Sequence, residues 1–259
     1  MTNNYCFITY LLIICCMGFT SCGKNDISEN NEYSFEKNMV YNAVTDYDGN
    51  SYDAVKIGGK IWLTKSIRTT HFADGSPIKE GTGYSEDTAL YYHVNNNAAN
   101  DEEYGLLYNW KAAMDGAAGS NSNPSGIQGI CPDGWHLPSD AEWTAMTDSV
   151  SAIGKCACGI ANITIAKSLA SNKGWTTSSY TCAVGNDQNS NNATCFAAMP
   201  AGFFQGPENA FGTQVSFWTT TESDSVGVWY RNFYYHSATV RRYISSGKKN
   251  GFSVRCVKD

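Results

Sequence analysis

The 259-residue chain predicts an α+β domain of antiparallel strands with two to three helices. Three observations carry that class. Strand-patterned runs flank tight turns between residues 43 and 63, a capping box opens a helical pattern at Ser139, and strand-like runs fill the last third of the chain.

Taken in order, the folded body opens with two β-rich runs around Asp48-Gly49-Asn50, and a second turn falls at Gly58-Gly59. This predicts a hairpin continuing into a meander. Asp46, Asp48 and Asn50 lack the full alternation of ligands before a glycine that a calcium loop needs, so the cluster reads as a turn and no metal site is assigned. Tyr104 to Met114 begins strand-like and ends helix-like. Asn-rich loops are expected at residues 95–97, 119–126 and 186–192, because Asn, Gly and Ser divert the backbone from regular pairing. Ser139 followed by Glu142 is a capping box, and Trp143, Met146, Val150 and Ile153 recur at helical spacing. A helix from Ser139 to about Ile153 follows. Ile163 to Ala170 is a shorter helical candidate. Strands are then predicted at Val215–Thr221, Val228–Tyr235, Val240–Ser245 and Gly251–Val257, all rich in β-branched and aromatic residues.

Tyr5 to Phe19 carries no charge and is shorter than the roughly twenty residues of a membrane-spanning helix, which suits the core of a signal peptide. Thr20-Ser21-Cys22 resembles the lipobox of bacterial lipoproteins, although Phe19 stands where Leu is commoner and residues 1–4 carry no Lys or Arg. The resemblance implies acylation of Cys22. The organisation expected is a signal peptide over residues 1–21, a polar tether over 22–42 and one domain over 43–259. The expected location is the cell envelope, lipid-anchored in the outer membrane with exposure at the surface. The formal net charge of −6 argues against a nucleic-acid partner, and neither sign of charge is concentrated enough to steer a charged ligand.

Of ten cysteines, Cys6, Cys15 and Cys16 fall in the signal segment and Cys22 is the lipidation candidate. Six remain as disulfide candidates: Cys131, Cys156, Cys158, Cys182, Cys195 and Cys256. An even set in an exported chain points to disulfides. Cys182 and Cys195 bracket an Asn-rich loop and could close it. Cys131 and Cys256 sit beside two landmark segments, and a long-range bridge there is open. Cys156 and Cys158 are too close to bridge each other readily. Spacing alone leaves the pairing unsettled.

Several segments together resemble the Fibrobacter succinogenes major paralogous domain, a family of exported bacterial domains. They are Val44-Thr-Asp-Tyr-Asp-Gly-Asn, Val55-Lys-Ile-Gly with Trp62, Tyr104-Gly-Leu-Leu-Tyr-Asn-Trp, Cys131-Pro-Asp-Gly-Trp-His-Leu-Pro-Ser-Asp-Ala-Glu-Trp, Trp218-Thr-Thr-Thr-Glu-Ser and Gly251-Phe-Ser-Val-Arg-Cys-Val-Lys. The resemblance spans residues 43–259. The Trp135 to Trp143 segment and the closing run are also similar to parts of formylglycine-generating enzymes and of C-type lectin-like domains. The implied fold is C-type lectin-like, with both chain ends in one sheet and a Cys131–Cys256 bridge. No general activity accompanies the family, so function has to be argued from the site.

The residues favour binding over catalysis. Cys156 and Cys158 have no neighbouring His or basic cluster to hold a thiolate. The four histidines show no metal-ligand spacing, and His136 reads as a hydrogen-bonded packing residue. Asp140 and Glu142 suit a helix N-terminus. No nucleophile elbow or phosphate loop occurs, and no cofactor is expected. Calcium-dependent lectin ligand sets are absent from the sequence. Aromatic residues concentrate in the late strands, and Trp218, Trp229, Tyr230, Tyr234, Tyr235 and Tyr243 are the ligand-surface candidates. Because both faces of Val228–Tyr235 carry aromatic rings, more are present than a core alone requires. The expectation is a non-enzymatic adhesion or binding protein, its partners being the membrane through the lipid and a polysaccharide bound without calcium. The alternatives are a protein–protein module in an envelope assembly and a degenerate relative of the formylglycine-generating enzymes that oxidises thiols.

Overall fold

A strand meander opens the folded body where the turn residues place it. The computed structural model describes residues 34–154, 158, 163–206 and 209–259; the signal segment, Cys22 and Cys156 lie outside these. β1 (Met39–Thr45) and β2 (Ser51–Ile57) pair antiparallel, and β3 (Lys60–Leu63) returns against β2. Asp46 shapes the first turn, its Oδ1 accepting from the Asn50 N–H at 2.9 Å and its Oδ2 from the Tyr52 hydroxyl at 2.6 Å. Gly58 and Gly59 hold φ at +60° and +83°, the left-handed pair that a two-residue hairpin turn demands. Phe35 is buried ahead of β1, so the folded body starts upstream of residue 43.

β4 (Lys79–Glu80), β5 (Leu90–Tyr92) and β6 (Leu107–Tyr108) make a small second sheet. β4 and β5 run parallel, an exception to the antiparallel expectation that the long connection between Glu80 and Leu90 permits. Four α-helices occur among the described residues rather than two to three: α1 (Asp101–Tyr104), α2 (Trp110–Met114), α3 (Asp140–Ala152) and α4 (Ala166–Leu169). The surplus consists of single turns, too short to show a helical period in sequence. α3 matches its prediction. Ser139 Oγ accepts from the Glu142 N–H at 3.1 Å, and Glu142 Oε2 accepts from the Ser139 N–H at 3.0 Å. Trp143, Met146 and Val150 face inward. Trp143 sits 5.1 Å from Trp62, 5.6 Å from Phe196 and 5.4 Å from Phe217, centroid to centroid, which makes it the hub of the aromatic core.

β7 (Trp135–His136) and β11 (Val257–Lys258) complete a five-stranded sheet of order β1-β2-β3-β11-β7, so the first and last strands share it. Apolar clusters pack on both of its faces. Val55, Ile57, Trp62 and Val257 lie in one, and Tyr52, Ala54, Leu63 and Cys256 in the other. β8 (Gln214–Glu222), β9 (Val228–Tyr234) and β10 (Arg241–Ser245) form an antiparallel sheet of order β10-β9-β8.

The strand predicted over Gly251–Val257 is regular only at its end. Phe252 bridges Tyr108, Ser253 bridges Phe217, and β11 then joins the large sheet. The segment changes partners every few residues because it threads between all three sheets. Arg255 within it is 1% exposed, and its Nη1 donates to the Leu63 and Phe196 carbonyls. Burial pulls its pKa down to about 9, still above neutrality, so a cation braced by carbonyls sits inside the core.

Cys131 and Cys256 are joined, with Cα atoms 5.9 Å apart, as the family resemblance implies. The closure of the Asn-rich loop by Cys182 and Cys195 is not what forms: Cys182 is bonded to Cys158. Cys195 is buried, and sequence proximity across the loop did not bring the two side chains together. No helix among the described residues is long and apolar enough to cross a membrane.

Candidate functional site

β9 and β10 pair with Tyr230 opposite Tyr243 and Asn232 opposite Arg241. Alternation then sorts the side chains. Val228, Tyr230, Asn232, Tyr234, Arg241 and Tyr243 share one face, while Trp229, Arg231, Phe233, Arg242 and Ile244 share the other.

The first face runs from core to solvent as a series of rings. Trp218 lies tilted against Phe252 at 4.2 Å, Phe252 meets Tyr230 at 4.9 Å, and Tyr230 meets Tyr243 at 5.9 Å. Trp218 is fully buried and its indole N–H donates to the Tyr108 carbonyl at 2.7 Å, which removes it as a ligand contact. Tyr230 is half-buried, and that burial raises its hydroxyl pKa, with the neighbouring Tyr243 adding to the rise. It connects core to surface. Tyr243 is 41% exposed.

Beyond Tyr243 the strip continues along the hairpin end. Arg241 Nη1 donates to the Tyr243 hydroxyl at 3.1 Å, and its guanidinium carbon lies 5.7 Å from the Tyr234 ring centre. Tyr234 meets His236 at 4.1 Å, Tyr235 stacks on His236 at 4.8 Å, and Tyr180 lies 6.0 Å from it. Tyr180 is 64% exposed; Tyr234, Tyr235 and His236 are half-buried. His236 Nδ1 is buried with no hydrogen-bond partner among the described residues. Tyr243, Arg241, Tyr234, His236, Tyr235 and Tyr180 thus form one strip of rings broken by a single cation.

The backbone under the strip is fixed from several sides. The Gly185 N–H donates to the Tyr235 carbonyl at 2.7 Å, the Val184 N–H to Ser237 at 3.1 Å, and the Ala166 N–H to Ala238 at 3.0 Å. Gly185 has no room for a side chain, since a Cβ would come within 2.1 Å of the Thr176 carbonyl oxygen. The Cys158–Cys182 disulfide ties down the loop that carries Tyr180. Rings held this way have little conformational freedom left to lose.

Trp229 belongs to the opposite face. The Arg242 guanidinium covers it, its carbon 3.3 Å from the ring centre, and Arg242 Nε also pairs with Asp140 Oδ2 at 2.9 Å. Asp140, at the start of α3, also accepts Arg231 at 2.7 Å. This is a structural clamp between helix and sheet. Of the six sequence-predicted surface aromatics, Tyr234, Tyr235 and Tyr243 come together, Tyr230 supports them, and Trp218 and Trp229 are elsewhere. Sequence reasoning missed Tyr180, His236 and Arg241. For Arg241 the signal was available in the register of the β9–β10 hairpin; Tyr180 is brought in only by long-range folding.

The Asn-rich loops are largely exposed, with Asn95, Asn96, Asn97, Asn121, Asn123 and Asn189 at the surface, and particular side chains anchor them. Asn191 Nδ2 donates to the Ser171 and Val184 carbonyls at 2.9 and 3.0 Å, and Asn121 Oδ1 accepts from Thr221 at 3.0 Å. Among the described residues are two open clefts of about 540 and 410 Å³. Asp74, Asp115 and Asp133 line the first; Lys65, Glu102, Glu103 and Lys173 line the second, where Lys173 already pairs with Glu103 at 2.6 Å. Among the described residues no three His, Cys, Asp or Glu side chains are placed to hold a metal ion.

Residues 55–258 match the family described as the Fibrobacter succinogenes major domain. The chain belongs to that family. No curated protein and no solved structure matches it. The Fibrobacter succinogenes major domain of this chain accordingly runs from the end of β2 through β11 and takes in the buried Arg255 and the whole aromatic strip.

Proposed function

We propose that this Fibrobacter succinogenes major domain is a non-enzymatic binding module of the cell envelope, held to the membrane by lipid on Cys22. It recognises glycans without calcium through the strip of Tyr180, Tyr234, Tyr235, His236 and Tyr243. The observation that carries the reading is that strip: aromatic faces left open to solvent on the β9–β10 hairpin and on the neighbouring disulfide-tied loop of Tyr180, where sugar rings can stack. A C-type lectin-like arrangement belongs to the same reading. It is supported by the shared sheet of first and last strands and by the Cys131–Cys256 bridge. Binding is favoured over thiol chemistry because four of the described cysteines are in disulfides and Cys195 is buried.

A glycan array tests the reading. Retention on a defined polysaccharide, weakened in Tyr234→Ala, supports it, and a blank array with folded protein refutes it. Anchoring is tested separately by metabolic labelling with a fatty-acid probe. Label on the wild type that disappears in Cys22→Ser is expected, and an unlabelled wild type contradicts the anchor.

A further inference from the structure

The strip carries a cation that nothing neutralises, and this selects among sugars. The charge balance at the C-terminal end departs from the even distribution inferred from composition. Seven of the 18 Lys and Arg residues fall between Ser225 and Lys258, and none of the 24 Asp and Glu. The structure sorts these cations by their partners. Arg231 and Arg242 share Asp140, Lys248 pairs with Glu222, and Arg255 is sealed in the core; of the three with no ion pair among the described residues, Lys249 lies over the Tyr84 ring, Lys258 is exposed on β11, and Arg241 stands in the strip. Arg241 is different. Its Nε donates to Ser237 Oγ at 3.3 Å and its Nη1 to the Tyr243 hydroxyl at 3.1 Å, both neutral groups. It makes no ion pair among the described residues, and its Nη2 donates to none of them. These two bonds and the Tyr234 ring hold the guanidinium half-buried in the middle of the strip.

A guanidinium fixed in this way presents paired N–H donors in a plane, the arrangement that binds a carboxylate or sulfate at two points. A neutral polysaccharide would gain only ring stacking. An anionic one would gain stacking and a charge-assisted pair together, without first breaking an internal ion pair. We propose that the strip recognises an anionic polysaccharide, the carboxylate or sulfate lying on Arg241 and adjoining sugar rings on Tyr234 and Tyr243. The proposal rests on the glycan-binding reading above and names its ligand class.

The test is titration calorimetry of the mature protein with polygalacturonate, dextran sulfate and unmodified dextran, at low and physiological salt. Polygalacturonate carries carboxylate, dextran sulfate carries sulfate, and dextran shares the latter's backbone without charge. The expected result is affinity at least about tenfold tighter for one charged polymer than for dextran, near 1.4 kcal/mol, and weakening with salt. Arg241→Gln should erase the difference, Arg241→Lys should keep part of it, and Lys258→Gln should leave it intact. Equal affinity for dextran and both charged polymers overturns the anionic preference while leaving sugar stacking in place. Binding to none of the three, with a native thermal melt, overturns this proposal. A blank polysaccharide array would in addition remove the reading beneath it. Tight charged binding that survives Arg241→Gln overturns the assignment to Arg241.

Discussion

Replacing Glu142 with Gln should destabilise the domain by about 3 kcal/mol at pH 5.5 and by less at pH 8.5. The Glu142 carboxylate is fully buried, and each oxygen takes two donors. Oε2 accepts the Ser125 and Ser139 N–H groups, both at 3.0 Å; Oε1 takes His136 Nε2 at 2.8 Å and Lys60 Nζ at 3.0 Å. A Gln amide would turn its NH₂ toward His136 and Lys60, because the reverse strands two buried backbone donors. His136 can then lose a proton and accept, and Lys60, 25% exposed, can swing to water. Those escapes set the cost at the lower end of the roughly 3–5 kcal/mol for breaking a buried pair.

The pH dependence follows from two opposite shifts. Burial pulls the His136 pKa down, but Glu142 and Asp259, each hydrogen-bonded to one ring nitrogen, outweigh it and hold the net value above the usual 6.5. Its contribution is complete below that value and is lost as pH rises through the folded pKa. Burial pushes Glu142 up, yet His136, the Ser139 amide and Lys60 bring it below the usual 4.5, so its share fades as pH falls through the folded pKa. Wild-type stability from this cluster therefore peaks between about 4.5 and 6.5. Urea unfolding followed by tryptophan fluorescence at the two pH values reads it directly, since Trp143 is the helix neighbour of Glu142. Equal midpoints for wild type and variant at pH 5.5, or a gap that widens at pH 8.5, would refute the reasoning.

Further outcomes are expected. Non-reducing peptide mapping should return Cys131 linked to Cys256 and Cys158 linked to Cys182; a Cys182–Cys195 peptide would contradict the structure. Removing the long bridge with Cys131→Ala and Cys256→Ala should cost about 5 kcal/mol by loop-closure entropy across 125 residues, measured by urea unfolding. Gly129→Ala should lower stability by about 2–3 kcal/mol, because Gly129 has φ +57° and a Cβ would lie 2.1 Å from the Ala113 carbonyl oxygen. A thermal melt within 1 °C of wild type would count against that. Asp140→Ala should cost about 3–5 kcal/mol by leaving Arg231 buried and unpaired, and a near-neutral unfolding midpoint would show that the clamp is not structural.

What was legible in the sequence was local. The β1–β2–β3 meander and α3 were readable because Gly58-Gly59 and the Ser139–Glu142 box specify backbone geometry within a few residues. Single-turn helices such as α1 and α4 have no period to detect. The closing run from Gly251 has strand composition, but its partner changes from β6 to β8 to β3, which no local pattern encodes. The site was half legible for the same reason. Alternation separated Tyr230 and Tyr234 from Trp229, yet could not tell that Phe252 buries Trp218 or that Arg242 covers Trp229. Tyr180 reaches His236 only through the Cys158–Cys182 link and the amides of Val184 and Gly185. Asp140 and Glu142 were read as first-turn carboxylates. They do occupy the first turn of α3, and their partners, Arg231, Arg242, Lys60 and His136, make them anchors of the fold as well.

The most direct measurement is equilibrium glycan binding compared across the two faces of the β9–β10 hairpin. Tyr234→Ala and Tyr243→Ala should each weaken binding about two- to tenfold, as loss of one stacked ring does, while Trp229→Ala on the opposite face should leave it unchanged. Equal loss in all three folded variants, or no saccharide bound by the wild type, would contradict the account.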